Sequence, residues 1–583
     1  MFAALFNADR SPVDLALLGT AGRDARILGT HGHVVLLRSE EASAAHNAET
    51  SAIQSLGGRL WIVGRIRLDA RGDLEARLGQ PASDDALLCL HAYVKWGDDF
   101  LDRLAGDFCF VLWDEAEGCL IVARDQLGIR SLFHARAGET WLFSDALDWV
   151  ASRQGNDDEL DDYWIVDFLS FEHSLDFDRT IYRHIHRLAP AHVMTVSGAE
   201  TSVRRYWRLA IGDPLYFPDH RHYGERFREL TRQAVADRMP SGRVGITMSG
   251  GLDSTTLAAC AVDVAGTASR VMARCSHYET LIPDDEATYA TLAARHLGVD
   301  LQLAALDDAL YDPRWRRASI TGAEPWAGIV HARADRAEAE AMAAVAAVWF
   351  EGEGPDNALR FERNAYFGWL ASRRQWRRLA ETAWLYAKAK GLSGWRDTVR
   401  RYVGPGGPIL PEVALPGWLN RDLVGRLHLV ERLNDSEKGT EPAHPWHPRA
   451  MASFEDPIWQ SVLADCDRDE AQASFVWRHP FLDLRVLEFM LSVPPVPWAR
   501  RKLIMREAMR GKLPAPILSR EKTPLTSDPW AETMRGCRLP ELGASDRVGR
   551  WVDVGRLADA EAAGGDIRRI LPAHALDYWL TAR

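Results

Sequence analysis

The feature that most constrains this chain is a strand that runs into paired glycines and leaves as a helix. It reads Val244-Gly245-Ile246-Thr247-Met248, then Ser249-Gly250-Gly251-Leu252-Asp253-Ser254-Thr255-Thr256. Adjacent glycines let a backbone turn sharply and aim several N–H groups at one point. The helix start that follows adds its partial positive charge. Ser249, Ser254 and Thr255 add hydroxyl donors, giving an anion cradle of the size of pyrophosphate. Asp253 makes sense beside phosphate only if it holds Mg2+. The Gly-Lys-Ser/Thr of the P-loop is missing. A loop that grips the β- and γ-phosphates as a leaving group suits attack at the α-phosphate, which yields AMP and pyrophosphate. The plainer reading is a Gly-Gly turn capping an ordinary helix; the order of strand, SGGLDS and helix favours the cradle.

A second loop, about 100 residues on, also follows an apolar strand: Val348-Trp349-Phe350-Glu351-Gly352-Glu353-Gly354-Pro355-Asp356-Asn357. Spaced glycines allow close approach to a ligand. Asp356 can share a Mg2+ with Asp253, and Glu353 can orient or deprotonate an amine. Read alone this is an acidic turn; paired with the first loop on a neighbouring strand it becomes half of a site. A third element, Arg520-Glu521-Lys522-Thr523-Pro524, follows a helix expected over 501–509. A lysine on a Pro-bounded loop can reach a developing negative charge. Alone, Lys522 reads as a surface residue; its position after Arg478-His479-Pro480-Phe481-Leu482-Asp483 raises its weight. Asp483 itself reads as a helix N-cap.

The surrounding chain has two textures. To about residue 208 it is β-rich, with short apolar runs at 34–37, 60–63, 108–113 and 120–124 punctuated by Gly and Asp. One helix is expected over 84–96, with Ala86, Leu87, Leu90, Tyr93 and Val94 on one face. After a polar stretch at 210–222 the pattern becomes strand–helix alternation: strands at 243–248, 269–275, 299–304 and 347–350, helices at 254–264, 286–297 and 335–346. That is the mark of a parallel sheet covered by helices. Beyond about 360 the chain reads as mostly helical, with loops such as Gly404-Pro405-Gly406-Gly407-Pro408.

At 583 residues the chain is too long for one core. A net charge of −12 argues against nucleic acid as a partner, and arginines at 373–378, 396, 400 and 401 read as solvated helix faces. Seven scattered cysteines without a CxxC pair argue against a disulfide framework and against a structural zinc site. With no signal peptide and no apolar run near ~20 residues, the expectation is a cytoplasmic protein with no membrane partner. The 22 tryptophans are expected mostly in cores, some lining a groove for an extended substrate.

SGGLDS, the GEGxD loop, the HPFLD segment and the late R-x-K loop together resemble the synthetase domain of asparagine synthetase B and its relatives. The N-terminal part resembles that family's glutaminase domain. Arg124-Asp125-Gln126-Leu127-Gly128-Ile129-Arg130-Ser131-Leu132 is similar to its RDxxGxxPL turn, Leu104 to Phe110 to its LxGxFAF strand, and Phe143-Ser144-Asp145 to its FASE. The resemblance implies an α/β protein of two domains. Residues 1–208 would form a degenerate glutaminase-like domain of the N-terminal-nucleophile type, layered αββα. Residues 222–583 would form a PP-loop ATP-pyrophosphatase domain, adenine nucleotide alpha hydrolase-like, with a helical C-terminal half.

The resemblance also implies site roles. ATP would contact Met248, Ser249, Gly250, Gly251, Ser254 and Gly352, with Cys275 beside adenine. Asp253 and Asp356 would hold Mg2+. Lys522 would stabilise the charged intermediate and departing AMP, and Glu353 would steer the amine. Departures matter as much. Where the family's glutaminase has its cysteine, directly after the initiator Met, this chain has Phe2, and the oxyanion-stabilising Asn-Gly is lost, Val63-Gly64 being the nearest match. Without thiol or oxyanion donor, glutamine hydrolysis is not expected. Among relatives with this loss, β-lactam and carbapenam synthetases typically carry tyrosine in the second loop where this chain has Glu353. That leaves the lasso peptide macrolactam synthetases most similar. The expected substrate is a linear core peptide, with a leader peptidase as partner. The alternatives are another amide-forming synthetase, whether ammonia-using or β-lactam synthetase-like, and a non-catalytic ATP-binding scaffold for a peptide-processing partner.

Overall fold

A computed structural model describes residues 1–18, 25–30, 32–39, 54–155, 159–198, 200–317, 322–390, 415–438, 444–521, 525–535, 537, 539–542 and 545–583. The first half holds two six-stranded antiparallel sheets. One runs, in spatial order, Ile185–Arg187, Phe133–Ala137, Thr140–Ser144, Phe2–Asn7, Val34–Ser39 and Ala25–Thr30. The other runs Glu200–Arg205, His192–Ser197, Cys119–Arg124, Gly106–Asp114, Leu60–Leu68 and Gln54–Leu56. Alternation along each strand sends one set of side chains inward and the other outward. Phe2, Ala4, Phe6, Val34 and Leu36 meet Val63, Val111, Trp113, Leu120 and Val122 between the sheets. On the outer faces, Ala3, Leu5, Val35 and Leu37 pack on helices, as do Ile62, Phe108, Phe110 and Leu112. The layering is therefore α, β, β, α.

The expected helix is present as Asp85–Trp96, capped by Asp84, which accepts from the Leu87 N–H at 2.9 Å. Its buried face is largely the one read from sequence, since Leu87 and Tyr93 also pack against the core beneath it, and Val94 is the exception. Ala86, Leu88, Cys89, Leu90 and Ala92 are buried, whereas Val94 is 64% exposed. Three further helices, Arg71–Leu78, Leu147–Gln154 and Asp162–Phe171, were not legible. The first two are short, and the last is apolar nearly all round, so it shows no 3.6-residue period.

The second half is built on a five-stranded parallel sheet in the order Asp300–Ala305, Val271–His277, Val244–Thr247, Val348–Phe350, Val476–Arg478. In chain order this is 3-2-1-4-5. The strand order reverses between Val244–Thr247 and Val348–Phe350, and ligands of such sheets bind beyond the carboxyl ends of the strands at that switch point. The fifth strand was not legible within a part expected to be mostly helical, because three residues carry no periodicity to read. The helices Leu252–Ala265, Glu286–Leu297 and Ala332–Ala343 follow the expected alternation. Arg373, Arg374, Arg377 and Arg378 are exposed. Arg396, Arg400, Arg401 and the 404–408 loop lie outside the described residues. Among the described residues no helix is long and apolar enough to cross a membrane.

Buried ion pairs join the halves. Arg130 donates to Glu470 at 3.0 Å, Arg65 bonds both Glu470 and Asp467, and Arg124 donates to Gln460 at 2.8 Å. Arg238 bridges Asp69 of the first half and Asp483 of the second, at 2.8 and 2.7 Å.

Candidate active site

Both glycine-containing loops leave the carboxyl ends of the two strands that flank the switch point. Strand register sets them side by side: Gly245 pairs with Trp349 and Ile246 with Phe350. The first loop carries Met248, Ser249, Gly250 and Gly251 into the helix Leu252–Ala265. Gly250 has φ +71°, and a Cβ there would lie 2.6 Å from the Ala290 amide nitrogen, so only glycine fits. Gly251 begins the helix without a side chain of its own, leaving the first-turn N–H groups to a ligand anion. The Ser249 and Ser254 hydroxyls lie 3.4 Å apart at the lip of the cradle. Thr255 does not join them. Its hydroxyl donates back to the Gly251 carbonyl at 2.7 Å and is fully buried, so it braces the turn. Met248 is buried, and its N–H donates to the Arg274 carbonyl at 2.8 Å. Cys275 follows on that neighbouring strand, 1% exposed; burial pushes its thiol up to about 12, so it offers an apolar surface and not a thiolate.

Gly352 brings the second loop against the first: a Cβ built on it would lie 3.5 Å from Asp253 Cβ and from the Ser254 amide nitrogen. Glu353 is exposed at the mouth. Burial, then the Glu353 charge, pushes the neighbouring Glu351 carboxyl up to about 7. Asp253 and Asp356 converge, from their separate loops, on one cation. The Lys502 ammonium pairs with Asp253 and lies 2.6 Å from Asp356 Oδ1. Two carboxylates closing on one positive charge form an oxygen donor set that suits Mg2+. Sequence reasoning missed Lys502. It stands where the helix expected over 501–509 does not yet exist: Arg501 and Lys502 have φ of +50° and +53°, and the helix is Leu503–Ala508. Each such residue stores about 1–3 kcal/mol of backbone strain, a cost tolerated mainly at functional sites. The only sequence signal was a basic run just before a helix.

Lys522, the expected stabiliser of the departing AMP, lies outside the described residues. The segment leading to it is anchored. Arg520 pairs with Glu286 at 3.0 Å and stacks on Tyr289, while Arg506 donates to the Arg520 carbonyl at 2.8 Å. Asp483 caps the helix Leu484–Ser492 through the Arg485 N–H at 3.0 Å. Burial works against its charge, but hydrogen bonds from Arg485 and the Arg238 guanidinium hold its carboxyl well below the usual range. A cavity of about 850 Å3 lies between the halves, lined by Met1, Arg65, Asp145, Trp164, Trp326 and Asp467 among others. None of residues 248–254 or 350–356 lines it.

Phe2, which stands where the resemblance would place a thiol, is fully buried between the sheets, and its N–H donates to Asp145 at 2.8 Å. Cys89, Cys109 and Cys119 of this half are buried; burial pushes all three thiols up, that of Cys119 to about 11. None is a nucleophilic thiolate at neutral pH.

Comparison with known proteins adds two family matches. A model described as asparagine synthase matches residues 226–553, and one described as a glutamine amidotransferase domain matches residues 65–207. Asparagine synthetase (glutamine-hydrolyzing) 3 of Bacillus subtilis (strain 168) is 30% identical over 197 residues, 33% of this chain and 31% of its own length. The amidase chyE of Penicillium rubens is 26% identical over 274 residues, 42% of this chain and 38% of its own. A putative asparagine synthetase (glutamine-hydrolyzing) 2 of Methanocaldococcus jannaschii is 26% identical over 202 residues, 33% of this chain and 37% of its own. The chain thus spans about a third of the length of the curated relatives it matches.

Proposed function

From one premise, that this chain belongs to the asparagine synthase family, we propose that it is an AMP-forming carbon–nitrogen ligase that closes a macrolactam in a lasso-type peptide. The observation that carries the reading is an asymmetry between the halves. The second half keeps two loops converging at a switch point, with Asp253, Asp356 and Lys502 in contact. The first half keeps its αββα layers but has Phe2 where the thiol would stand. An enzyme that can activate a carboxylate and cannot make its own ammonia needs an amine from elsewhere, and in this reading the peptide supplies it.

In the proposed reaction, an Asp or Glu side-chain carboxylate of the core peptide attacks the α-phosphorus of ATP, and pyrophosphate leaves. The Ser249–Ser254 loop receives that anion through backbone N–H groups and hydroxyls. Asp253 and Asp356 would hold Mg2+, which would neutralise charge on the leaving group. The Lys502 ammonium, beside both carboxylates, would pair with phosphate oxygens of the bound nucleotide. Glu353, at the mouth, orients the peptide's N-terminal amine and takes its proton. The amine attacks the acyl carbon, the amide forms and AMP departs, with Lys522 assigned to the negative charge of that step. Holding the amine against the acyl group is the protein's main contribution, worth up to ~7–11 kcal/mol in well-oriented cases. The tryptophan-bearing cavity between the halves, of about 850 Å3, is the surface offered for the rest of the peptide. A leader peptidase is the partner this reading implies, since the reacting amine must first be freed.

Pyrophosphate release is the assay. Linear peptides with a free N-terminus and an internal Asp or Glu should stimulate it and lose the mass of one water. Stimulation by aspartate plus ammonia, and not by peptide, would replace this reading with that of an ammonia-using synthetase. Nucleotide binding without AMP formation would leave only a scaffold.

A further inference from the structure

Behind the second loop lies a cluster the proposed reaction does not use. Glu351 directly follows the strand Val348–Phe350, and His479 directly follows Val476–Arg478. The register pairs Phe350 with Arg478, so these two side chains leave adjacent strand ends together. Cys466, within the helix Ile458–Gln472, faces both. Cys466 Sγ lies 3.8 Å and His479 Nδ1 3.6 Å from Glu351 Oε2, and all three atoms fall within 4.8 Å of one another. His479 is 3% exposed, and its Nδ1 has no hydrogen-bond partner although it points at a carboxylate. A buried ring nitrogen without a partner is destabilising unless something occupies it.

We propose that Glu351, Cys466 and His479 bind one divalent cation of the zinc class, at a site separate from the Mg2+–nucleotide site. Zn–S near 2.3 Å, and Zn–N and Zn–O near 2.0–2.2 Å, give a tetrahedron with edges of roughly 3.3–3.7 Å. The 3.6 Å separation falls within that range and the 3.8 Å separation slightly exceeds it, so a small side-chain shift would close the set on an ion. The donors are a thiolate, an imidazole and one carboxylate, a set that selects zinc over magnesium. The carboxylates of Glu353, Asp465 and Asp469 act on Glu351 in the same sense, so the local field is negative. In the metal-free chain the Cys466 thiol donates to Glu351; metal binding replaces that proton, which leaves to solvent. Glu351 keeps about 30% exposure, which gives the ion a way in and leaves room for water at the fourth position. The bound ion would pin the ends of two strands to a helix at the base of the loop that carries Glu353 and Asp356.

Cobalt is the probe. Metal-depleted full-length protein titrated with Co2+ should take up one equivalent and develop a thiolate-to-cobalt charge-transfer band with the visible bands of a tetrahedral ion. Zn2+ should abolish them, and millimolar Mg2+ should not. Of the seven cysteines five are buried, Cys466 is half-buried and Cys537 is exposed. The spectrum should therefore survive Cys537→Ser and vanish in Cys466→Ser, and His479→Gln should weaken binding at least tenfold. Should Cys466→Ser fail to fold, the Cys537→Ser spectrum still decides, because Cys466 is then the accessible thiol. A wild-type protein with no charge-transfer band, or a band lost with Cys537→Ser, overturns the proposal.

Discussion

Lys502 holds the two acidic loops together through a side chain that the sequence did not advertise. Its ammonium is the cation between Asp253 and Asp356, and its left-handed backbone is the strain that puts it there. Two consequences can be measured separately. Lys502→Met should lower kcat for pyrophosphate release by about 10²–10³, the usual effect of removing one group that stabilises developing charge. The same variant should reach half-maximal activity at a lower Mg2+ concentration, because a competitor for both carboxylates is gone. A purely structural lysine would lower stability without moving the Mg2+ dependence. Most of the site was readable at this scale, because glycines and acids in fixed order after a strand carry a mechanism. Thr255 misled because a hydroxyl type does not reveal that it bends back onto its own turn. Lys502 was hidden because a helix was expected to begin at 501, two residues before it does.

At the scale of elements, the site depends on two strand ends being neighbours and on one turn being tight. Gly250→Ala places a methyl group 2.6 Å from the Ala290 backbone and forces φ +71° on a residue that resists it. The helix Glu286–Leu297 must give way, at a cost of about 1–3 kcal/mol. The expected outcome is a rise of at least tenfold in the KM for ATP with a small fall in melting temperature. An unchanged KM would show that the loop does not contact the nucleotide. Alternation of strand and helix made four of the five parallel strands legible. The strand Val476–Arg478 was not, since its three residues are defined only by the partner Val348–Phe350. The helix Asp162–Phe171 was lost for a related reason, its apolar surroundings on all sides erasing the amphipathic pattern.

At the scale of the molecule, the first half packs as a wall against the second. Arg65 and Arg130 reach across to Glu470, which also accepts from the Trp477 N–H at 2.8 Å, all of it buried. Removing one member of such a group leaves charges uncompensated, typically at 3–5 kcal/mol. Glu470→Ala should therefore destabilise the protein by about that much, read as a lower urea midpoint for the first unfolding transition; Glu470→Gln should recover part of the loss. A free-standing first half would show neither effect. The two-domain layout was visible in the change of texture after residue 208. The clasp between the halves was not, because it joins residues about 340–405 positions apart.

The central claim is that a carboxylate oxygen attacks the α-phosphorus at the two-loop site. A peptide whose reacting Asp or Glu side chain carries 18O in both oxygens tests it directly. After turnover with ATP, the account predicts one 18O in AMP, the other in the new amide, and none in pyrophosphate. Label found in inorganic phosphate alongside ADP, or product formed with AMP unlabelled, would contradict it.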